Sequence, residues 1–326
     1  MNKFILSVAS IFAVIGGTTA LLMPGSIPTD NTASVDVDTS SDAVQFVDDS
    51  SDNNSETAPV FVKGSERELK VAVPSSSATQ ENIYSMMLNS VDYYTKASGT
   101  VIIGDHDLSI PLCTTFQTDL LTRNVYVHEH HYDSIQDPYN INSDTLLSEH
   151  CVYSEEKYLE NRKSTLINNI DKTYSVGIDA SQEPSDVIIP DSERFKPGSN
   201  GINSAYYRPD PTNVPLASRS LFPQGFTMGA LHDFDLWQIN DITELDGHEC
   251  FFITGNPDES YANKTGISYY EMYVDTSTGT VIRLQGFNAD GTLNCYVYTD
   301  DLRFDDEAEE PASAPEECPE GYSTIR

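Results

Sequence analysis

Ile83, Tyr84, Met87, Leu88 and Val91 recur at helical spacing behind Ser77-x-x-Gln80, which reads as a capping box, and predict a helix over 79–90. The period then shortens: Thr100, Val101, Ile102 and Ile103 favour a strand within 93–104, punctuated by Ser98–Gly99 and Gly104–Asp105. Residues 113–119 and 122–131 alternate polar and bulky positions, with Val125 and Val127 opposite Tyr126 and His128. Residues 159–170 lead through an Asn-Asn-Ile-Asp turn into a further run at 172–178. From about 180 to 223 periodicity fails, and Pro184, Pro190, Pro197, Pro209, Pro211 and Pro215 describe a long irregular insertion, a flap or an excursion. Beyond it, four strand-like runs cover 249–254, 268–274, 280–287 and 292–299. The loops DTSTG and NADG separate the last three and predict an antiparallel meander. Tyr270, Met272 and Val274 share one face with Ile282, Leu284, Leu293, Cys295 and Val297. The other face carries Tyr269, Glu271, Tyr273, Arg283, Gln285, Tyr296 and Tyr298, the pattern of a sheet covering a core or cavity.

The ends read differently. Met1-Asn2-Lys3 precedes an uncharged apolar run over 4–23, the layout of a secretory signal with Thr18-Thr19-Ala20 at a cleavage point. The run is also about as long as the roughly 20 residues of a spanning helix, so an uncleaved anchor stays open. Both readings send the rest of the chain across a membrane. No cysteine lies near this boundary to carry a lipid. Residues 30–56 hold eight acids and no Lys or Arg, and 305–320 hold another eight with Pro311, Pro315 and Pro319. Such segments have no apolar face to offset the entropy of ordering. The expected organisation is a signal peptide or anchor at 1–23, an acidic Ser/Asp-rich disordered linker at 24–73, a folded domain at 74–304, and an acidic disordered tail at 305–326. With 51 acidic against 18 basic residues in 326, the formal charge is −33, which argues against nucleic-acid binding and electrostatic membrane docking. Membrane contact is expected only through the N-terminal segment, where it is retained.

The order of motifs resembles a known group. NIYSMMLNSVDYYTKASGTV, a midchain IDKTYSV and a closing YYEMYVDTSTGTVIRLQGFNADGTLNCYVYTDDLRF are similar to the lipoprotein-carrier-like half-barrel superfamily, which includes the outer-membrane lipoprotein carriers and a periplasmic sensor of the envelope-stress sigma-factor pathway. The resemblance implies a strongly curved antiparallel sheet wrapped around helices, with an apolar cavity for acyl chains. Its most specific part, VDTSTGTVIRLQGFNADG, determines shape rather than chemistry, because Asp275, Gly279 and Gly291 serve turns. Residues 180–245 exceed the group's usual connections, and no lipid-contacting residue carries over.

Catalytic signals are sparse. His128 and His130 lie two apart on one strand and point the same way, as two metal ligands do, with Glu129 or His131 assisting from the other face. A zinc or copper site needs more ligands, for which His106, His150, His232 and His248 are scattered candidates; the competing reading is a polar strand end. No Gly-x-Ser-x-Gly elbow, phosphate-cradling loop or calcium-loop spacing is present. Five cysteines, Cys113, Cys151, Cys250, Cys295 and Cys318, include no CxxC pair, and spacing fixes no disulfide.

The expectation is an exported, non-enzymatic α+β protein without a cofactor, built on a curved antiparallel half-barrel sheet around one or two helices. Its concave apolar face, lined by Met87, Trp237, Tyr270, Met272, Ile282 and Leu284, takes a lipid-like or hydrophobic ligand, or an envelope partner's segment, with the long insertion as a lid. Two alternatives are a regulatory or structural envelope interaction module without a small-molecule site, and a metal-dependent hydrolase using His128–His131.

Overall fold

The computed structural model describes residues 69–105, 110–135, 137–139, 141–146, 150–178, 190–196 and 204–325. The N-terminal apolar run, the acidic segment up to residue 68, His106, and residues 179–189 and 197–203 of the insertion lie outside the described residues. The first helix, α1 (Gln80–Leu88), takes its capping box from Thr79 and Asn82 rather than from Ser77 and Gln80. Asn82 Oδ1 accepts the Thr79 N–H at 3.1 Å, and Thr79 Oγ1 accepts the Asn82 N–H at 3.3 Å.

α1 feeds a meander of β1 (Lys96–Asp105), β2 (Leu112–Asp119) and β3 (Val125–Tyr132), then the short helix α2 (Ser143–Leu146), β4 (Cys151–Glu160), β5 (Lys163–Asn168) and β6 (Thr173–Ile178). The insertion contributes α3 (Asp191–Arg194), the minimal pair β7 (Phe195–Lys196) and β8 (Ser204–Ala205), α4 (Ser218–Leu221) and α5 (Gln224–Ala230). A second meander follows: β9 (Trp237–Leu245), β10 (His248–Gly255), α6 (Glu259–Thr265), β11 (Tyr269–Asp275), β12 (Val281–Phe287) and β13 (Leu293–Phe304), with β14 (Ser323–Thr324) at the end. Among the described residues, twelve strands form one open curved sheet in the order β14-β6-β5-β4-β3-β2-β1-β13-β12-β11-β10-β9. Antiparallel pairing of β1 with β13 joins the two meanders. This is the half-barrel α+β architecture that the sequence predicts. β4 and β9 escape the pattern reading, β4 because Ser154-Glu155-Glu156-Lys157 interrupts its alternation, β9 because it is an edge with mostly exposed polar positions.

Helices α1, α4 and α5 lie on one face of the sheet, hereafter the inner face, and the main core forms there. Tyr270, Met272, Val274, Ile282, Leu284 and Val297 all join it. Leu293 does not. A bulge at Gly286/Phe287 sets Leu293 opposite Phe287 and turns it to the outer face, where it packs with Ile102, Cys113, Tyr132, Tyr296 and Tyr298. Further bulges at Ser98/Thr100, Phe252/Ile253 and Tyr273/Val274 add the bends that a curved sheet requires.

The tail corrects an expectation. Residues 305–325, expected to be disordered, lie along the sheet with nearly all their acids exposed, ending as β14 paired in parallel with β6. Asp305 Oδ1 accepts from the Thr95 N–H and hydroxyl, both at 2.7 Å. The Ala312 and Ala314 amides donate to Gln117 Oε1 (2.8 Å) and Glu160 Oε1 (3.1 Å). Cys318 and Tyr322 pack on Tyr126, Tyr158, Ile167 and Tyr174. The dense acids hide these two anchors and the amides that find acceptors on the sheet.

Candidate functional site

The six residues proposed to line a ligand wall meet in one place. Met87 on α1, Trp237 at the start of β9, Tyr270 and Met272 on β11, and Ile282 and Leu284 on β12 are all buried in the main core. Met272 stands directly opposite Ile253 on β10 and Leu284 on β12, so the apolar wall is continuous across β10–β12. It is a filled wall. Gly229 of α5 makes room for the Tyr261 ring, since a Cβ there would lie 2.1 Å from it; Gly255 does the same for Tyr270 and Trp237.

Helices α4 and α5 close the wall. Tyr270 Oη donates to Ala230 O (3.2 Å), and Trp237 Nε1 donates to Leu231 O (3.0 Å). Gln80 Nε2, at the first position of α1, donates to Phe234 O (2.8 Å) and Trp237 O (2.7 Å). Ser90 and Ser220 hydroxyls donate to Leu221 O (2.5 Å) and Val281 O (2.8 Å). The fully buried Arg194 of α3 ties the insertion to the end of α1, donating through Nη1 to Leu88 O (2.7 Å) and Asn89 Oδ1 (3.3 Å), and through Nη2 to Gln224 Oε1. A cation there also complements the negative end of the α1 dipole. Burial lowers the Arg194 pKa to about 10, so it stays charged at neutral pH. The sequence marks Gln80 only as a capping residue and Arg194 not at all, because no periodicity marks a side chain that bonds carbonyls far along the chain.

Two concavities among the described residues are open depressions at hairpin rims. One is lined by Asn161–Lys163 and Val176–Ile178, the other by Ile242–Glu244, Gly247 and Glu249. Neither borders the wall.

The histidine cluster sits on β3, with the His128 and His130 rings 3.9 Å apart on the outer face. His128 Nε2 pairs with Ser154 Oγ at 3.0 Å. Burial lowers the His128 pKa, and burial together with His128 pushes His130 down to about 4, so both rings are neutral near pH 7. Strand alternation sends Glu129 and His131 to the inner face, and among the described residues no three His, Cys, Asp or Glu side chains converge on a metal position. His150, His232 and His248 pair instead with Asp133 (3.0 Å), Asp258 (3.2 Å) and Asp275 (2.9 Å). The candidate zinc or copper site therefore lacks its third and fourth ligands among the described residues. All five cysteines are free, and burial first pushes the Cys113, Cys250 and Cys295 thiols up to about 12, away from nucleophilic reactivity.

No helix among the described residues is long and apolar enough to cross a membrane. No family model matches the sequence, and no curated protein matches it. Among solved structures the chain is similar to an uncharacterized conserved protein from Thermus thermophilus, at 8% identity over 76% of this chain and 98% of that one, with a TM-score of 0.33. It is similar to a chain of the Pseudomonas aeruginosa MucA/MucB complex, at 10% identity over 74% of this chain and 63% of that one, with a TM-score of 0.35. A LolA superfamily protein from Nitrosomonas europaea is similar at 9% identity over 71% of this chain and 95% of that one, with a TM-score of 0.23. At these identities and TM-scores the likeness assigns neither a group nor an activity.

Proposed function

We propose that this is a non-enzymatic binding protein of the cell envelope, whose apolar inner wall receives a lipid-like or hydrophobic ligand, or an apolar partner segment, when α4 and α5 move aside. One observation carries the reading: a continuous apolar wall is closed by two helices of only four and seven residues, neither with a side-chain N-cap. Helices shorter than about 12 residues have little stability of their own. These two hold their place through packing and the few hydrogen bonds described above. An apolar ligand that replaces them against Met87, Trp237, Tyr270, Met272, Ile282 and Leu284 keeps that surface from water, at about 25 cal/mol per Å² before ordering costs. The uncharged run at 4–23 supports a place outside the cytoplasm.

Trp237 is the only tryptophan and reports on the wall directly. Palmitate, used as the probe, is expected to shift its fluorescence saturably. Gln80→Ala releases the Phe234 and Trp237 carbonyls from α1 and is expected to tighten apparent binding about three- to tenfold, because less free energy holds the wall closed. Absence of a saturable change in both proteins contradicts the reading. If instead native mass spectrometry of mildly purified protein shows a bound protein and no lipid, the partner-segment form of the proposal replaces the carrier form.

A further inference from the structure

Away from α4 and α5, the inner face of the first meander carries a polar row. Beyond the apolar Val101 of β1, Thr114, Glu129, Glu155, Asn168 and Thr173 stand successively opposite one another across β2 to β6. Glu129 and Glu155 are a directly opposed pair, which places their Cβ atoms about 4.5–5.5 Å apart, and like charges in that position destabilise a sheet. Both are half-buried. Burial and then the Glu155 charge raise the Glu129 pKa; burial raises that of Glu155, against the opposing effects of the Tyr153 hydroxyl and Lys157. On the other side of Glu129 stands Thr114, 1% exposed, whose Oγ1 has no hydrogen-bond partner among the described residues. A buried hydroxyl left without a partner destabilises the fold and favours an incoming donor. The row thus combines two crowded carboxylates with an unsatisfied hydroxyl. The next row places His131 and Tyr153 stacked at 4.5 Å and 28°, an aromatic ledge beside the pair.

We propose that this row is a binding subsite for a primary ammonium group, the side chain of a lysine in a basic, extended segment of a partner protein, held by Glu129, Glu155 and the Thr114 hydroxyl. An ammonium offers three donors and no acceptor, which matches two carboxylates and one hydroxyl oxygen. Its four-carbon stem suits the His131–Tyr153 ledge. The chain's charge of −33 raises the local concentration of basic partners. Lys157 is close to both carboxylates and offsets one of their charges, which leaves room for a single positive charge rather than the two of a divalent metal. The subsite goes beyond the apolar wall and does not depend on it, since it lies on other strands.

The test is calorimetric titration of the full chain with a capped Leu-Lys-Leu-Lys-Leu peptide. Glu129→Gln combined with Glu155→Gln is expected to weaken binding about tenfold, and Thr114→Val about threefold. Glu316→Gln with Glu317→Gln removes the same charge from exposed tail positions and is expected to change binding less than twofold. The Glu129/Glu155 double variant relieves repulsion, so its melting temperature is expected to hold or rise. Equal weakening by the two double variants would reduce the effect to general attraction by an acidic protein and overturn the subsite. Stoichiometric displacement of the peptide by calcium, or binding of phosphatidylethanolamine vesicles but not the peptide, would also overturn it.

Discussion

Replacing Gly279 with alanine is expected to lower the melting temperature by about 6–12 °C, whereas the same change at Gly291 costs only about 1 kcal/mol. Both glycines close loops of the second meander with positive φ, +77° and +83°. Their surroundings differ. A Cβ on Gly279 would lie 2.7 Å from Met86 Cγ, 2.8 Å from its carbonyl carbon and 2.9 Å from its oxygen; at Gly291 nothing lies within 4 Å. The flexible Met86 side chain can turn away, but the α1 backbone cannot. The variant therefore adds roughly 1–3 kcal/mol of overpacking to roughly 1 kcal/mol of left-handed strain. Thermal unfolding of the two variants side by side checks this. Equal losses would show that α1 does not rest on the β11–β12 turn.

The second large effect is expected at Asp275. Its Oδ1 accepts from the Ser277 N–H (2.9 Å) and hydroxyl (2.6 Å) and from the Thr278 N–H and hydroxyl (both 2.8 Å), while Oδ2 faces His248 Nδ1 at 2.9 Å. His248 Nε2 reaches Leu302 O at 3.0 Å. Two acceptors on two ring nitrogens require both nitrogens to carry protons, so the folded state favours imidazolium. The Asp275 hydrogen bond is the main reason the His248 pKa is raised. Burial opposes ionisation of Asp275, but its bonds to His248, Ser277 and Thr278 outweigh burial and lower its pKa. A histidine with a raised folded pKa adds stability that is complete below its unfolded value, 6.5, and is lost as pH rises through the folded value. A carboxylate with a lowered pKa adds stability that is complete above 3.8 and is lost as pH falls through the folded value. The latch is thus strongest between about pH 4 and 6.5 and weakens on the alkaline side first. Asp275→Ala is expected to cost about 3 kcal/mol at pH 6 by orphaning buried donors. Asp275→Asn keeps an acceptor for the turn but is expected to flatten the stability profile between pH 6 and 8. Chemical denaturation across that range measures both, and an unchanged profile in Asp275→Asn would remove the latch.

Much of this fold is legible in the chain. The second meander shows itself because its loops carry Asp275, Gly279 and Gly291 at turn positions and its strands alternate cleanly. The face assignment fails at Leu293, where a bulge shifts the alternation by one residue, and a bulge leaves no mark in a two-residue period. Tyr270, Met272, Ile282 and Leu284 are readable as one apolar face, with Met87 and Trp237 as candidates on other elements, but what covers them is not readable. α5 has two glycines among seven residues and no side-chain cap, so it carries no helical signature, and Tyr270 fixes its last residue from β11. The Glu129–Glu155 pair is hidden for a related reason: it exists only through cross-strand register, and β4 is interrupted by charges. The tail misleads because acids dominate its composition, while Cys318, Tyr322, backbone amides and the single turn carboxylate Asp305 hold it to the sheet.

The claim that α4 and α5 are a removable cover over the apolar wall is tested most directly by hydrogen exchange with and without palmitate. Amides over 218–237 are expected to lose protection when the probe binds, while β11 and β12 keep theirs. Protection that rises or stays unchanged over 218–237 at saturating probe would contradict the account, and the wall would then be simply the core of the protein.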